Sequence, residues 1–170
     1  ASKNRMSDKA RTIWWKTLLK LCKGLNPHFP LFVFCDANAT VGSITSTAIG
    51  SLSPELDNVN SKHFSSFLLA LNLYLPSTFS HYHSGPSRTY TTSTSHKRID
   101  YIAIQNSLTV WNLRSTVLPI ALSIIKDDHW SPSLSFNVCF DSSPTQLLFP
   151  HRVPICDRSL FTCPDNIASL

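Results

Sequence analysis

Charged side chains are scarce in this chain. Only 15% of its 170 residues are Asp, Glu, Lys or Arg, against about 25% in ordinary soluble domains. Acids are the rarer sign, ten in all, and Glu55 is the sole glutamate. Serine and threonine supply much of the polar surface instead. No apolar run approaches the ~20 residues of a membrane span, which excludes a transmembrane helix from the expectation. The N-terminus lacks the apolar core of a secretory signal. It begins with Ala rather than Met, as a fragment or partial gene product does. No Cys-x-x-Cys occurs, and the five cysteines are odd in number, so a disulfide framework is not expected. Reduced thiols fit a nuclear or cytoplasmic setting. No internal repeat is found.

What is present bounds the class. A hydrophobic content of 42% excludes a wholly disordered polypeptide, and the length suffices for one domain with a real core. The net charge of +5 and pI near 9.1 suit a polyanionic partner, because phosphate contacts dominate non-specific nucleic-acid affinity.

Periodicity predicts a helix over residues 8–25, with Ile13, Trp14, Leu18, Leu21, Cys22 and Leu25 on its apolar side. Gly24 and then Asn26-Pro27 end it. Phe29 to Cys35 is rich in aromatic and β-branched residues and reads as a buried strand. Residues 40–57 read as a Ser/Thr/Gly/Pro loop without periodicity. A second helix is expected over 60–73, with Phe64, Phe67, Leu68 and Leu71 inward. Strands follow at Thr89–Thr92 and Ile99–Ile104, an apolar run at Val117–Ile125, and an alternating strand at Ser131–Phe140. From Asp141 onward prolines and serines accumulate. The expected organisation is a folded domain over 1–140 and a Pro/Ser-rich tail or linker over 141–170, with the class a layered α/β domain.

The chemistry-bearing residues sit where strands meet loops, the usual position of catalytic groups. Asp36-Ala-Asn38 follows the strand at 31–34. Asp100 opens the strand at 99–104, and Asp127-Asp128-His129 follows the apolar run. A carboxylate can take a proton from water, and an amide can donate to a phosphate oxygen. The bland alternative for Asp36-x-Asn38 is an Asx-turn that ends a strand. Asp128-His129 sets a hard oxygen ligand beside an imidazole; Mg²⁺ needs only one or two acids besides water. A His held by an acid can stay protonated and face developing negative charge. His81-x-His83 lacks a third ligand in sequence, and a surface loop is its better reading.

In these residues the chain resembles the endonuclease/exonuclease/phosphatase superfamily, particularly the apurinic-type endonuclease domains of non-LTR retrotransposons. The family pattern Gly-Asp-x-Asn is matched at Cys35-Asp36-Ala37-Asn38. Arg-(Ile/Leu)-Asp-Tyr is matched at Arg98-Ile99-Asp100-Tyr101, and Ser-Asp-His at Asp127-Asp128-His129. Asn60, Ser77-Thr78 and Thr89-Tyr90 also fit, and the likeness spans about residues 12–140. It implies a two-sheet α/β sandwich flanked by helices, DNase I-like, with the N-terminal part missing. It implies Mg²⁺- or Mn²⁺-dependent phosphodiester hydrolysis of DNA by a retroelement-derived endonuclease. Asp36 would position or deprotonate the attacking water, and Asn38 would hold the phosphate. Asp128 would sit at the metal, His129 on a non-bridging oxygen, and Asp100 would hold His129. Asn60, Thr89, Tyr90 and Arg98 would line the substrate side. From the residues alone, the basic cluster Arg88, His96, Lys97 and Arg98 reads equally as a contact to a nucleic-acid backbone or as a solvated turn.

The departures are specific. The family's metal-binding glutamate lies upstream of Asp-x-Asn, where this chain has none; Cys35 replaces a glycine and Asp127 a serine. Little or no cleavage is therefore expected from this polypeptide alone. A nuclease-fold remnant that only binds nucleic acid, and a sibling phosphatase acting on lipid or inositol phosphates, are the rival readings.

Overall fold

A computed structural model describes residues 7–108, 110–118 and 128–137. Ser7 caps the first helix, α1 (Asp8–Lys23), by accepting the Ala10 N–H at 3.2 Å, which satisfies one of the donors a helix start leaves unpaired. Lys20 and Lys23 in the last turn complement its dipole, and Gly24 closes it. The expected apolar face is turned: Trp15 is buried, with Trp14, Leu18, Leu19 and Cys22 half-buried beside it. Ile13, Leu21 and Leu25 are exposed. Trp15, Leu18, Leu19 and Cys22 follow the i, i+3, i+4, i+7 spacing of one helix face.

β1 (Phe32–Asp36) pairs antiparallel with the long central strand, and α2 (Ser61–Ala70) buries Phe64, Phe67 and Leu68 as expected. β2 (Leu73–Tyr74) runs into a 3₁₀ turn over Pro76–Thr78. β3 (Tyr90–Thr91) and β4 (His96–Lys97) form a short hairpin. The polar segment 93–97 thus contains a strand at its end. β5 (Asp100–Gln105) is central in a three-stranded antiparallel sheet ordered β1-β5-β2. β6 (Trp111–Leu118) and β7 (Ser131–Asn137) pair with each other. Most of β6 was not anticipated; only its last residues belong to the expected apolar run. The remainder of that run, residues 138–140 of the last expected strand and the expected tail at 141–170 lie outside the described residues.

Side chains alternate faces along a strand, and here the alternation sorts two cores. Tyr101, Ala103, Val33, Cys35 and Leu73 pack with Trp15, Phe64 and Phe67 of the two helices. Ile102, Ile104, Tyr74 and Phe32 pack with Leu113 of β6 and with Leu134 and Phe136 of β7. Phe32 and Phe136 stack at 5.6 Å. β5 is covered on both faces, which is why its sequence reads as a continuous apolar run.

The segment 40–57 is a loop, as its composition suggests, and parts of it pack into the core. Thr40, Val41, Ala48 and Ile49 are buried. Leu75 N–H donates to Ala48 O at 2.9 Å and Gly50 N–H to Thr78 Oγ1 at 2.8 Å. Gly50 is required there, since a Cβ would collide with the Thr78 carbonyl. No described helix is long and apolar enough to cross a membrane.

Candidate active site

Asp36 and Asp100 are register partners at the end of the β1–β5 ladder. Directly opposed residues of an antiparallel pair share a face, so both carboxylates lie on the side of Phe32, Ile102 and Ile104. His129 reaches the same spot from the segment before β7. That segment is clamped against β3: Thr91 N–H donates to Asp128 O at 2.8 Å, and Trp130 N–H to Thr89 O at 2.6 Å. One ligand atom from each of Asp36, Asp100 and His129 lies within 4.8 Å of the others.

The imidazole Nδ1 lies 3.1 Å from Asp100 Oδ2 and 3.2 Å from Oδ1. A carboxylate only accepts, so Nδ1 carries the proton. Partial burial works against a charged His129. The hydrogen bond and charge of Asp100, helped by Asp36 and Asp128, outweigh it and raise the imidazole pKa. At Asp100 burial dominates and raises the carboxyl pKa, aided by Asp36; hydrogen bonds from Thr89 and His129 oppose it. Both partners thus shift upward, although pairing alone would lower the acid. The charged imidazole is the direction the contact geometry supports. The Tyr90 ring meets the imidazole edge-on at 5.0 Å.

Asp36 Oδ1 accepts the Asn38 backbone N–H at 2.9 Å, which is the Asx-turn weighed from sequence. Asn38 takes a left-handed backbone, φ 45°, a conformation Asn tolerates better than most residues. Its carbonyl accepts from Asn58 Nδ2 at 2.8 Å and Asn60 Nδ2 at 3.1 Å. Asn60, expected on the substrate side, therefore uses its amide to hold the turn that carries Asn38.

Two other expected substrate residues face inward. Thr89 is buried, and its hydroxyl oxygen accepts the N–H groups of Ile99 and Asp100, each at 3.0 Å. Arg98 is 1% exposed. Its guanidinium donates to Ser77 O at 2.6 Å, Leu52 O at 2.9 Å and Ser53 O at 3.1 Å. The placement corrects both expectations: these side chains build the site's backbone and do not present themselves to a ligand. Glu55 Oε1 accepts the Arg98 backbone N–H at 2.8 Å. Sequence reasoning left Glu55 without a role, and no local signal links it to a residue so distant in the chain.

Asp128 is exposed and outside the close group, whereas Asp100, expected only to orient His129, is inside it. Asp127 lies outside the described residues. Cys35, behind the acids, has its thiol pushed up to about 12 by burial, then by Asp36 and Asp100. His81 is exposed but His83 is buried, contrary to the surface-loop reading. His83 Nε2 donates to Pro86 O at 3.1 Å, and Nδ1 lies 3.1 Å from Ser115 Oγ. Burial lowers its pKa, opposed by the Pro86 bond and helped by Arg98.

The donor set fits a hard cation in part. Mg²⁺ or Mn²⁺ can be held through one or two carboxylates with water completing the shell, and Asp36 and Asp100 offer two. Among the described residues no glutamate joins them. No protein-family model matches the chain, and no match is found among curated proteins or solved structures.

Proposed function

We propose that the chain carries a phosphodiesterase site for DNA, dependent on Mg²⁺ or Mn²⁺ and related to retroelement endonucleases of the DNase I-like fold. One observation carries the reading: two carboxylates and an imidazole from three separate segments converge within 4.8 Å. The layering of helices, a three-stranded sheet and a further strand pair agrees with it, as do the three motifs in their order.

In this reading Asp36 orients the attacking water and accepts its proton. His129, with Nδ1–H held on Asp100, presents Nε2 to a non-bridging phosphate oxygen and offsets the charge that builds there. Asn38, on its own turn, adds an amide donor to the phosphate. Asp36 and Asp100 would hold the cation, with Asp128 as a further acid close by. The cation, when bound, supplies Lewis-acid polarisation of the phosphoryl group.

A second reading, nucleic-acid binding without cleavage, is favoured by the engagement of Glu55 with Arg98, which leaves the cation two close carboxylates. Plasmid nicking across a Mg²⁺ and Mn²⁺ titration separates the two. Little or no nicking in Mg²⁺ is expected, with weak nicking at high Mn²⁺ that Asp36→Asn abolishes. DNA binding without nicking at any metal concentration would establish the second reading. Nicking indifferent to Asp36→Asn would overturn the site itself.

A further inference from the structure

The far end of β5 carries a second cluster, built of rings. Tyr74 of β2 pairs there with Ile104, about 13 Å along the strand from Asp100 at the rise of an antiparallel ladder. A cavity of about 290 Å³ opens beside it, lined by Tyr74, Phe79 and Tyr82. That volume lies just below the ~300 Å³ floor of drug-sized sites and suits a small head group. Rings that only filled a core would close on one another and leave no such space.

The ring centroids of Tyr74, Phe79 and Tyr82 are 5.9, 6.0 and 6.2 Å apart, a nearly equilateral triangle. A charge held about 4 Å off its plane is within about 6 Å of all three centroids, the reach of a cation–π contact. Interplanar angles of 47°, 67° and 76° make the rings a corner instead of a flat stack. His81, 4.0 Å from the Tyr82 ring and 5.7 Å from Phe79, adds an exposed rim.

Among the described residues, no Lys, Arg, Asp or Glu lines the cavity. Burial, then Tyr82, pushes the Tyr74 phenol up to about 12, so the ring stays neutral and attracts a cation only as a π face. A primary ammonium is compact, strongly hydrated and carries three donors; it would find no carboxylate here. A quaternary ammonium has no N–H to satisfy, and its methyl groups suit Leu108, Val110 and Leu113, which complete the apolar lining. Thr47 and Asn106 are the polar groups beside them.

From this arrangement we infer that the cavity binds a small quaternary ammonium compound of the choline class. Its trimethylammonium head lies against Tyr74, Phe79 and Tyr82, and its short polar tail meets Thr47 and Asn106. The lining offers no cation to a phosphate, so free choline fits better than a phosphocholine head group. The inference is independent of the phosphodiesterase reading.

Titration of the full 170-residue chain with choline, followed by NMR of the ring protons, tests this. The pH is set where histidine is neutral. Two probes run beside it on the wild-type chain: neohexyl alcohol, the neutral isostere with carbon in place of nitrogen, and ethanolamine, the primary ammonium. Choline should bind about 2- to 30-fold more tightly than the isostere, the range of a cation–π contact, and more tightly than ethanolamine. Tyr82→Leu should shrink the preference for choline over the isostere by at least about 2-fold. Tyr82→Phe should keep it, because the ring and not the hydroxyl carries the attraction. No binding of choline, or equal affinity for the isostere or for ethanolamine, would overturn the site without recourse to any variant. An unchanged preference in Tyr82→Leu, with a wild-type circular dichroism spectrum, would overturn the role of the rings. Tighter binding of a trimethyllysine peptide, or binding confined to phosphatidylcholine vesicles, would overturn a free small molecule as the ligand.

Discussion

Arg98→Ala should unfold this domain or nearly so. The guanidinium is 1% exposed and donates to three carbonyls on two segments, Leu52 and Ser53 on one side and Ser77 on the other. A hydrogen bond with a charged partner contributes roughly 1.5–3 kcal/mol net. Three of them set an upper range of about 4.5–9 kcal/mol, reduced by non-additivity and by the unpartnered Nε. Against a total stability of about 5–15 kcal/mol for a domain, a loss above about 4 kcal/mol is decisive. Arg98→Lys keeps the charge but replaces a planar fork by a single point of donors. It cannot span both segments, and about 2–4 kcal/mol is the expected loss. Urea unfolding followed by far-ultraviolet circular dichroism reads both values. A surface arginine devoted to phosphate would behave in the opposite way, losing DNA affinity while stability stays unchanged. An Arg98→Ala transition within about 1 kcal/mol of wild type would refute the reasoning.

Three further outcomes follow from the site. His129 titration, followed by NMR, should show a midpoint above the ordinary 6.5, and Asp100→Asn should move it down. Because His129 is raised in the folded state, its pairing stabilises fully below the unfolded histidine pKa and is lost as pH rises through the folded one. Asp100, also raised by burial, has the same sign at lower pH, so stability should fall as pH climbs through each transition. Thr89→Val removes the acceptor of two N–H groups at the start of β5. It should cost at least about 2 kcal/mol, since each buried unsatisfied donor costs about 1–3 kcal/mol, as measured by thermal unfolding.

Much of the architecture could be read from the chain because it depends on local pattern. The apolar run before Asp36, the spacing of Phe64, Phe67 and Leu68, and the continuous hydrophobicity of Ile99–Ile104 each specify an element without outside help. The end-of-strand positions of Asp36 and Asp100 come with those elements. β6 was harder to read, because its inward positions are Leu113, Ser115 and Val117. The buried serine, which meets His83, breaks the apolar alternation. Arg98 misleads for a similar reason: its charge suggests solvent, yet its partners are carbonyls far away in sequence. Val41, Ala48 and Ile49 are buried by tertiary packing alone, with no period to announce it.

The pairing of Asp36 with Asp100 has a consequence for how the site can be lost. Like charges directly opposed across a ladder are destabilising, so the acids do not favour the alignment that brings them together. That alignment is held by what lies behind them, where Val33 meets Ala103 and Phe34 meets Ile102. A slip of β1 by one residue would turn Asp36 toward the helices and bring Cys35 or Ala37 to the face that holds Asp100. The site is therefore a gauge of strand register. Changes at Val33 or Ala103 that loosen the ladder would disperse the acids with every residue of the site still in the sequence. If the proposed hydrolysis is lost in such variants, the loss reports misalignment of a strand and not a chemical defect.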